Sequence, residues 1–205
     1  MSASPDSAVA SMRVAYADPP YPGMAHFYID HPDYGGEVDH FALIWDVLET
    51  YDAWALHTAS TTLREVLASC PSDVRVGAWV KTFASFKPGV NPAYAWEPII
   101  FRGGRNDSSK QNLTVTDWIG CPITLRKGLT GAKPPAVIEW VFRLLGLHAE
   151  DELDDLYPGT GVVAETWAAY RARPSLLRTT DDRAKRSSPD SVSGGGAGVT
   201  GSTEP

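Results

Sequence analysis

A carboxylate, two prolines and a phenol follow one another at Asp18, Pro19, Pro20 and Tyr21, directly after the apolar run Val14-Ala15-Tyr16-Ala17. Each proline fixes its own φ and pushes the residue before it out of helical space, so the run reads as a buried strand stopped by a stiff turn. Asp18 is thereby held at a strand's end. In an open α/β sheet ligands sit outside the carboxyl ends of the strands, and a carboxylate beside an aromatic ring there makes a pocket for a small molecule or a base. A second chemistry-bearing stretch lies far downstream, where Asp151 to Tyr170 reads as a short strand, the glycine turn of Asp155-Leu156-Tyr157-Pro158-Gly159-Thr160-Gly161 and a helix over the apolar-periodic Val162 to Tyr170. Glycines at 159 and 161 allow a tight turn and a close approach of backbone to ligand, and the helix that follows offers its free N–H groups.

Other candidates carry less. The loop Met24 to Val38 holds His26, Asp30, His31, Asp33 and Tyr34 around Gly35 and Gly36. Their spacing matches no familiar metal site, so no metal is expected, and the glycines suit a flap over the pocket. His57 ends a strand on the edge where Asp18 should lie, and is expected to be a satisfied structural histidine. Arg102, Arg105, Lys110, Arg126 and Lys127 concentrate positive charge in a loop-rich segment, 102–130, beside Trp118. That segment either contacts phosphates and base edges or is a solvated loop.

The elements that must position these residues are legible in outline. Asp39 caps a helix in which Phe41, Ile44, Trp45 and Leu48 recur at helical spacing. A strand follows from Asp52 to Thr58, a helix from Thr61 to Ala68, a strand from Val74 to Lys81, and one more short strand in Trp96 to Arg105. Lys133-Pro134-Pro135 opens a helix with Val137, Ile138, Val141, Leu144 and Leu145 on one face, stopped by Gly146. Strand alternating with helix at this rhythm predicts βαβ units and a parallel sheet.

With 205 residues, 43% hydrophobic and seven Trp, the chain can bury one sizeable core and reads as one folded domain, 12–173. Residues 1–11 read as a flexible N-terminus and 174–205 as a disordered tail rich in Ser, Thr and Gly. The tail's Arg178, Arg183, Lys185 and Arg186 cancel its Asp181, Asp182, Asp190 and Glu204. No apolar run is long enough for a membrane span and no secretory signal is recognisable, so a cytoplasmic location is expected. Cys70 and Cys121 lie in no paired-thiol spacing and read as reduced structural thiols. A formal charge of −7 opposes general affinity for phosphate, so any nucleic-acid binding must use a local basic patch.

The order of D-P-P-Y, then K-P with an apolar helix, then D-L-Y-P-G-T-G resembles the permuted arrangement of the β-type DNA amino-methyltransferases, small phage-encoded DNA methylases included. The resemblance covers about Val14 to Tyr170. It implies an α/β, Rossmann-like methyltransferase sheet with helices on both faces. It also implies an S-adenosylmethionine site at Asp155, Tyr157, Pro158, Gly159, Thr160 and Gly161, with Lys133 and Pro134 on the family's cofactor-side K-P and Asp18 to Tyr21 on its catalytic tetrad. The residue types suit the chemistry. An adenine N6 lone pair is delocalised into the ring, and two acceptors, the Asp18 carboxylate and the Pro19 carbonyl, can hold the amine hydrogens and favour an sp3-like nitrogen.

The implied activity is S-adenosylmethionine-dependent methylation of adenine N6 in DNA, on a base flipped out of the stack or single-stranded. Cytosine-N4 or RNA methylation, or a catalytically silent nucleic-acid-binding protein keeping the fold, are the alternatives. The sequence departs from the family after Tyr170, where two further strands are expected, the first ending in an acidic residue for the cofactor ribose, and Arg171 to Asp182 offers neither. A partner subunit, as in a homodimer, is one way to complete that side.

Overall fold

The computed structural model describes residues 10–30, 34–83, 88–106, 114–124 and 132–173. The expected disordered tail, most of the expected flexible N-terminus, and His31, Asp33, Lys110, Arg126 and Lys127 lie outside the described residues.

Six strands form one sheet: β1 (Arg13–Ala17), β2 (Ala53–His57), β3 (Arg75–Val80), β4 (Trp96–Gly103), β5 (Trp118–Gly120) and β6 (Glu152–Asp155), in the order β5-β3-β4-β2-β1-β6. β1 pairs in parallel with β2 on one side and with β6 on the other. Its residues from Val14 to Ala17 are buried and alternate between two cores, as strand geometry requires when both faces are covered. Val14 and Tyr16 join Ile99 and Phe101 beneath α3 (Pro135–Leu144) and α4 (Val162–Ala172). Ala15 and Ala17 join Trp54, Leu56 and Ile100 beneath the helical segment that begins at α1 (His40–Ala42) and beneath α2 (Leu63–Ala68). The expected placement of helices on both faces is thus found.

The expected parallel sheet is not. β4 runs antiparallel to both β2 and β3, so the sheet is mixed. The physical reason lies in the connection: among the described residues no helix crosses back between β3 and β4, and the chain returns from the edge where β3 ends. β4 is also the longest strand, at eight residues, where a short one was expected. Pro98, the third residue of β4, accepts the Thr58 N–H but has no N–H to return, and the pairing with β2 stops at His57. β5 is a strand the sequence reading did not foresee, three residues aligned in parallel with β3.

The Asp39 cap is as expected, its carboxylate accepting the Phe41 and Ala42 N–H groups at 3.0 Å each. The helix it starts does not run on as a regular one. It passes into a π turn over Leu43–Val47 and a 3-10 turn over Leu48–Thr50. These shifts of pitch keep Leu43, Ile44 and Leu48 buried while Phe41 and Trp45 remain exposed.

Candidate functional site

The two motifs, 137 residues apart by the numbering of Asp18 and Asp155, end adjacent parallel strands. Tyr16 of β1 is in register with Asp155 of β6, so the turn that begins at Asp18 and the glycine turn that begins at Tyr157 open from the same edge of the sheet. Pro19 is buried and fixes that turn, while Pro20 and Tyr21 are partly buried.

Asp18 does not stand alone. The Lys133 ammonium donates to both Asp18 oxygens at 2.8 Å and to the Tyr21 hydroxyl at 3.0 Å. The Tyr21 hydroxyl in turn donates to Glu97 Oε2 at 3.0 Å. Glu97 also takes the Lys81 ammonium at 2.6 Å and lies 3.6 Å from Lys133 Nζ. The result is a chain of alternating charge, Lys81, Glu97, Lys133, Asp18, with the Tyr21 phenol hydrogen-bonded across its centre. Burial alone would raise the Glu97 carboxyl, but Lys133 and Lys81 outweigh it and bring the pKa down to about 2. Burial likewise opposes the charge on Lys133, but Asp18 and Glu97 outweigh it and raise the ammonium well above its usual range. Each ion in this low-dielectric place is there because its counter-ion is.

The sequence reading placed Lys133 and Pro134 on the cofactor side. The structure brings the Lys133 ammonium onto Asp18, and Pro134 is the residue that caps α3. A buried ammonium at the start of a helix that faces two carboxylates has no better partner. Glu97 and Lys81 were missed altogether. Their signal was present, since each is a lone charge in an otherwise apolar strand run, W-V-K and W-E-P-I-I-F.

His57 ends β2 on this same edge and is fully buried, but it is not the satisfied histidine that was expected. Neither ring nitrogen has a hydrogen-bond partner among the described residues, and the ring packs 5.1 Å from that of Tyr16. Burial lowers its pKa to about 4, so the imidazole is neutral near pH 7.

On the glycine side, Asp155 Oδ1 accepts the Tyr157 N–H at 3.3 Å, and its buried Oδ2 has no partner among the described residues. Burial, with the nearby charge of Asp18 adding, raises the Asp155 carboxyl to about 6. Gly161 caps α4 at φ +75°, a conformation only glycine adopts cheaply, and a Cβ there would meet nothing within 4 Å. Pro158, Gly159 and Thr160 are exposed. The first turn of α4 has no side-chain cap, so its N–H groups are left for a ligand or solvent. That arrangement fits a ligand carrying both hydroxyl or amine donors and an anionic group.

The basic segment behaves differently from either expectation for its first two members. Trp54 at the amino end of β2 faces Arg102, so the antiparallel β4 carries Arg102 away from the Asp18 edge, about 16 Å along the strand from Glu97. There Arg102 bonds Asp73 and Glu49. Arg105 grips the buried Asp151, and also bonds the carbonyls of Ala10 and Gly146. Both guanidinium groups hold the fold together. Among the described residues no group of three or more His, Cys, Asp or Glu is placed to hold a metal ion. No described helix is long and apolar enough to cross a membrane.

No protein-family model matches the chain, and no curated protein matches it. Solved structures do. The chain is similar to the crystal structure of the M1.HpyAVI–SAM complex, with a TM-score of 0.52 at 12% identity over 84% of this chain and 89% of that one. It is similar also to the crystal structure of M1.HpyAVI, with a TM-score of 0.50 at 11% identity over 85% and 88% of the two chains. The likeness shows the fold, a mixed, Rossmann-like α/β sheet with helices on both faces.

Proposed function

We propose that this chain is an S-adenosylmethionine-dependent methyltransferase that acts on the N6 amine of adenine in DNA. One observation carries the reading: the D-P-P-Y turn and the D-L-Y-P-G-T-G turn open from the carboxyl ends of strands paired in register, so an acceptor pair for an amine lies beside a glycine-lined ligand site. The M1.HpyAVI crystal structure that shares the fold holds SAM. Asp155 and the backbone from Tyr157 to Gly161 would hold the cofactor here, with the orphaned Asp155 Oδ2 and the uncapped α4 N-terminus as its polar partners. When bound, it supplies an activated methyl group on a sulfonium.

The chain's own residues do the positioning. Asp18 and the Pro19 carbonyl accept the two amine hydrogens and so localise the nitrogen lone pair. A carboxylate offers about four lone-pair sites, so Asp18 can accept from the target while Lys133 holds its orientation. Tyr21 is fixed through its hydroxyl between Lys133 and Glu97, leaving its ring to stack on the base. Phosphate contacts fall to Lys110, Arg126 and Lys127, because Arg102 and Arg105 are spent on ion pairs within the fold.

A second reading is favoured by one feature. Among the described residues β6 is an edge strand, and the acidic residue expected to follow for the cofactor ribose has no counterpart there. A nucleic-acid-binding protein that keeps the fold without turnover has the same site. Product analysis separates the two, and calorimetry with S-adenosylmethionine tests the cofactor site that both readings share. The wild type is expected to bind it, and Gly159→Val and Gly161→Val to lose binding at least tenfold, while thermal stability falls only by the left-handed strain of roughly 1–2 kcal/mol. No binding to the wild type, or unchanged affinity in both variants, contradicts the proposed site.

A further inference from the structure

Beside the Asp18 turn lies a cleft of about 510 Å3 that the proposed chemistry does not use, lined by Ser60, Thr61, Asn91, Pro92, Tyr94 and Trp96 among others. We propose that it is a second base subsite, which takes the unpaired nucleobase next to the target on the same strand. This rests on the reading of the chain as a nucleic-acid methyltransferase, and narrows it to single-stranded or locally opened substrate.

Three observations carry it. The first is the chemistry of the lining. None of its described residues is charged, its polar side-chain groups are hydroxyls, one amide and the Trp96 indole N–H, and Tyr94 and Trp96 are 54% and 37% exposed. An exposed aromatic pair with a side-chain amide suits a flat ring with hydrogen-bonding edges, and among the described lining residues no cation is present to hold a phosphate. The second is size, since the cleft lies within the range of sites that hold a small flat ligand.

The third is place. Trp96 opens β4, and Glu97 beside it accepts the Tyr21 hydroxyl. Consecutive strand residues point to opposite faces, so Glu97 serves the Asp18 network while Trp96 faces the cleft at the start of α2. Consecutive residues of β4 therefore serve the Asp18 network and the cleft. A nucleic-acid strand that crosses the sheet edge with its target base at Asp18 would present a neighbouring base to Trp96 and Tyr94, provided neither base is paired.

The test uses fluorescence anisotropy of a labelled single-stranded oligonucleotide carrying one adenine, with matched versions bearing an abasic spacer on its 5′ or its 3′ side. With the wild-type chain, one of the two spacers is expected to weaken binding roughly tenfold, the scale of one lost base–aromatic stack. In Tyr94→Ala, whose side chain is largely exposed and outside any strand, the intact oligonucleotide should bind about as weakly and the spacer should cost nothing further. Trp96→Ala should behave alike, and Trp96→Phe should restore most of the difference. Equal binding of all three oligonucleotides to the wild type overturns the subsite, as does a spacer penalty that survives in both alanine variants. S-adenosylmethionine affinity, measured on the same samples, keeps the two claims apart: cofactor binding without a spacer effect sinks the subsite alone, whereas loss of cofactor binding in the wild type sinks the methyltransferase reading.

Discussion

His57 is the side chain whose placement has the most direct consequence for behaviour in solution. It is buried against Tyr16, without a hydrogen-bond partner among the described residues, and its pKa is lowered by burial to about 4 against an ordinary value of about 6.5. Between those values the unfolded chain takes up a proton that the folded one refuses. Stability is therefore lost as pH falls from about 6.5 toward 4, by roughly 3 kcal/mol over the whole window. Denaturant unfolding of the wild type should show about 2 kcal/mol more loss between pH 7 and pH 5 than His57→Leu does, since the carboxyl groups titrate in both. Parallel pH profiles for the two chains would mean that water or a local opening reaches the ring. The same scale explains why Tyr21 matters beyond its ring. Its hydroxyl both accepts from Lys133 and donates to Glu97, which a sequence cannot disclose because Glu97 lies 76 residues away.

At the scale of elements, Asp151 is the joint that holds the amino edge of the sheet. Its carboxylate takes the Met12 N–H at 2.8 Å, the His148 N–H at 2.7 Å and the Arg105 guanidinium, and so ties the entries of β1 and β6 to the end of α3. Burial raises the carboxyl, but the Arg105 bond and the two backbone N–H donors outweigh it and leave it below its usual value. Asp151→Ala removes the buried carboxylate that takes the Arg105 guanidinium and two backbone N–H groups, and should lower stability by about 3–5 kcal/mol in thermal or urea unfolding near pH 7. The difference from wild type should shrink in acid. A carboxyl held low contributes stability above the ordinary carboxylate range and loses it as pH falls through the folded value. A loss below 1 kcal/mol at pH 7 would show that the joint is dispensable.

This joint was invisible in the sequence, where Arg105 looked like one member of a basic cluster. Local signals did reveal β1, β2, β3, the Asp39 cap and the helix after Pro135, because burial pattern, capping and proline act within a few residues. The direction of β4 was not legible, since alternating strands and helices suggest parallel pairing and nothing local marks a return without a helix. The two glycine and proline turns were read correctly as strand ends, yet only pairing of β1 with β6 reveals that they are neighbours.

The whole molecule carries a net charge of −7, and two of its candidate phosphate contacts are held in ion pairs, so the proposed DNA binding must rest on few cations. The paired change Arg126→Ala with Lys127→Ala should weaken binding to DNA and flatten its salt dependence by up to about two units of slope. Arg102→Ala should leave that slope unchanged while it lowers stability through Glu49 and Asp73. The reverse pattern would return phosphate binding to the opposite edge of the sheet.

The most direct measurement of the central claim is the product. The purified chain is incubated with S-adenosylmethionine and with single-stranded and duplex DNA, which is then digested to nucleosides and analysed by mass spectrometry. N6-methyladenine is the expected product, and Asp18→Ala should lower its rate about 100-fold or more, the scale of one preorganised transition-state hydrogen bond, while cofactor affinity stays within a few-fold. N4-methylcytosine, or no methylated nucleoside from a chain shown to bind the cofactor, would contradict the claim.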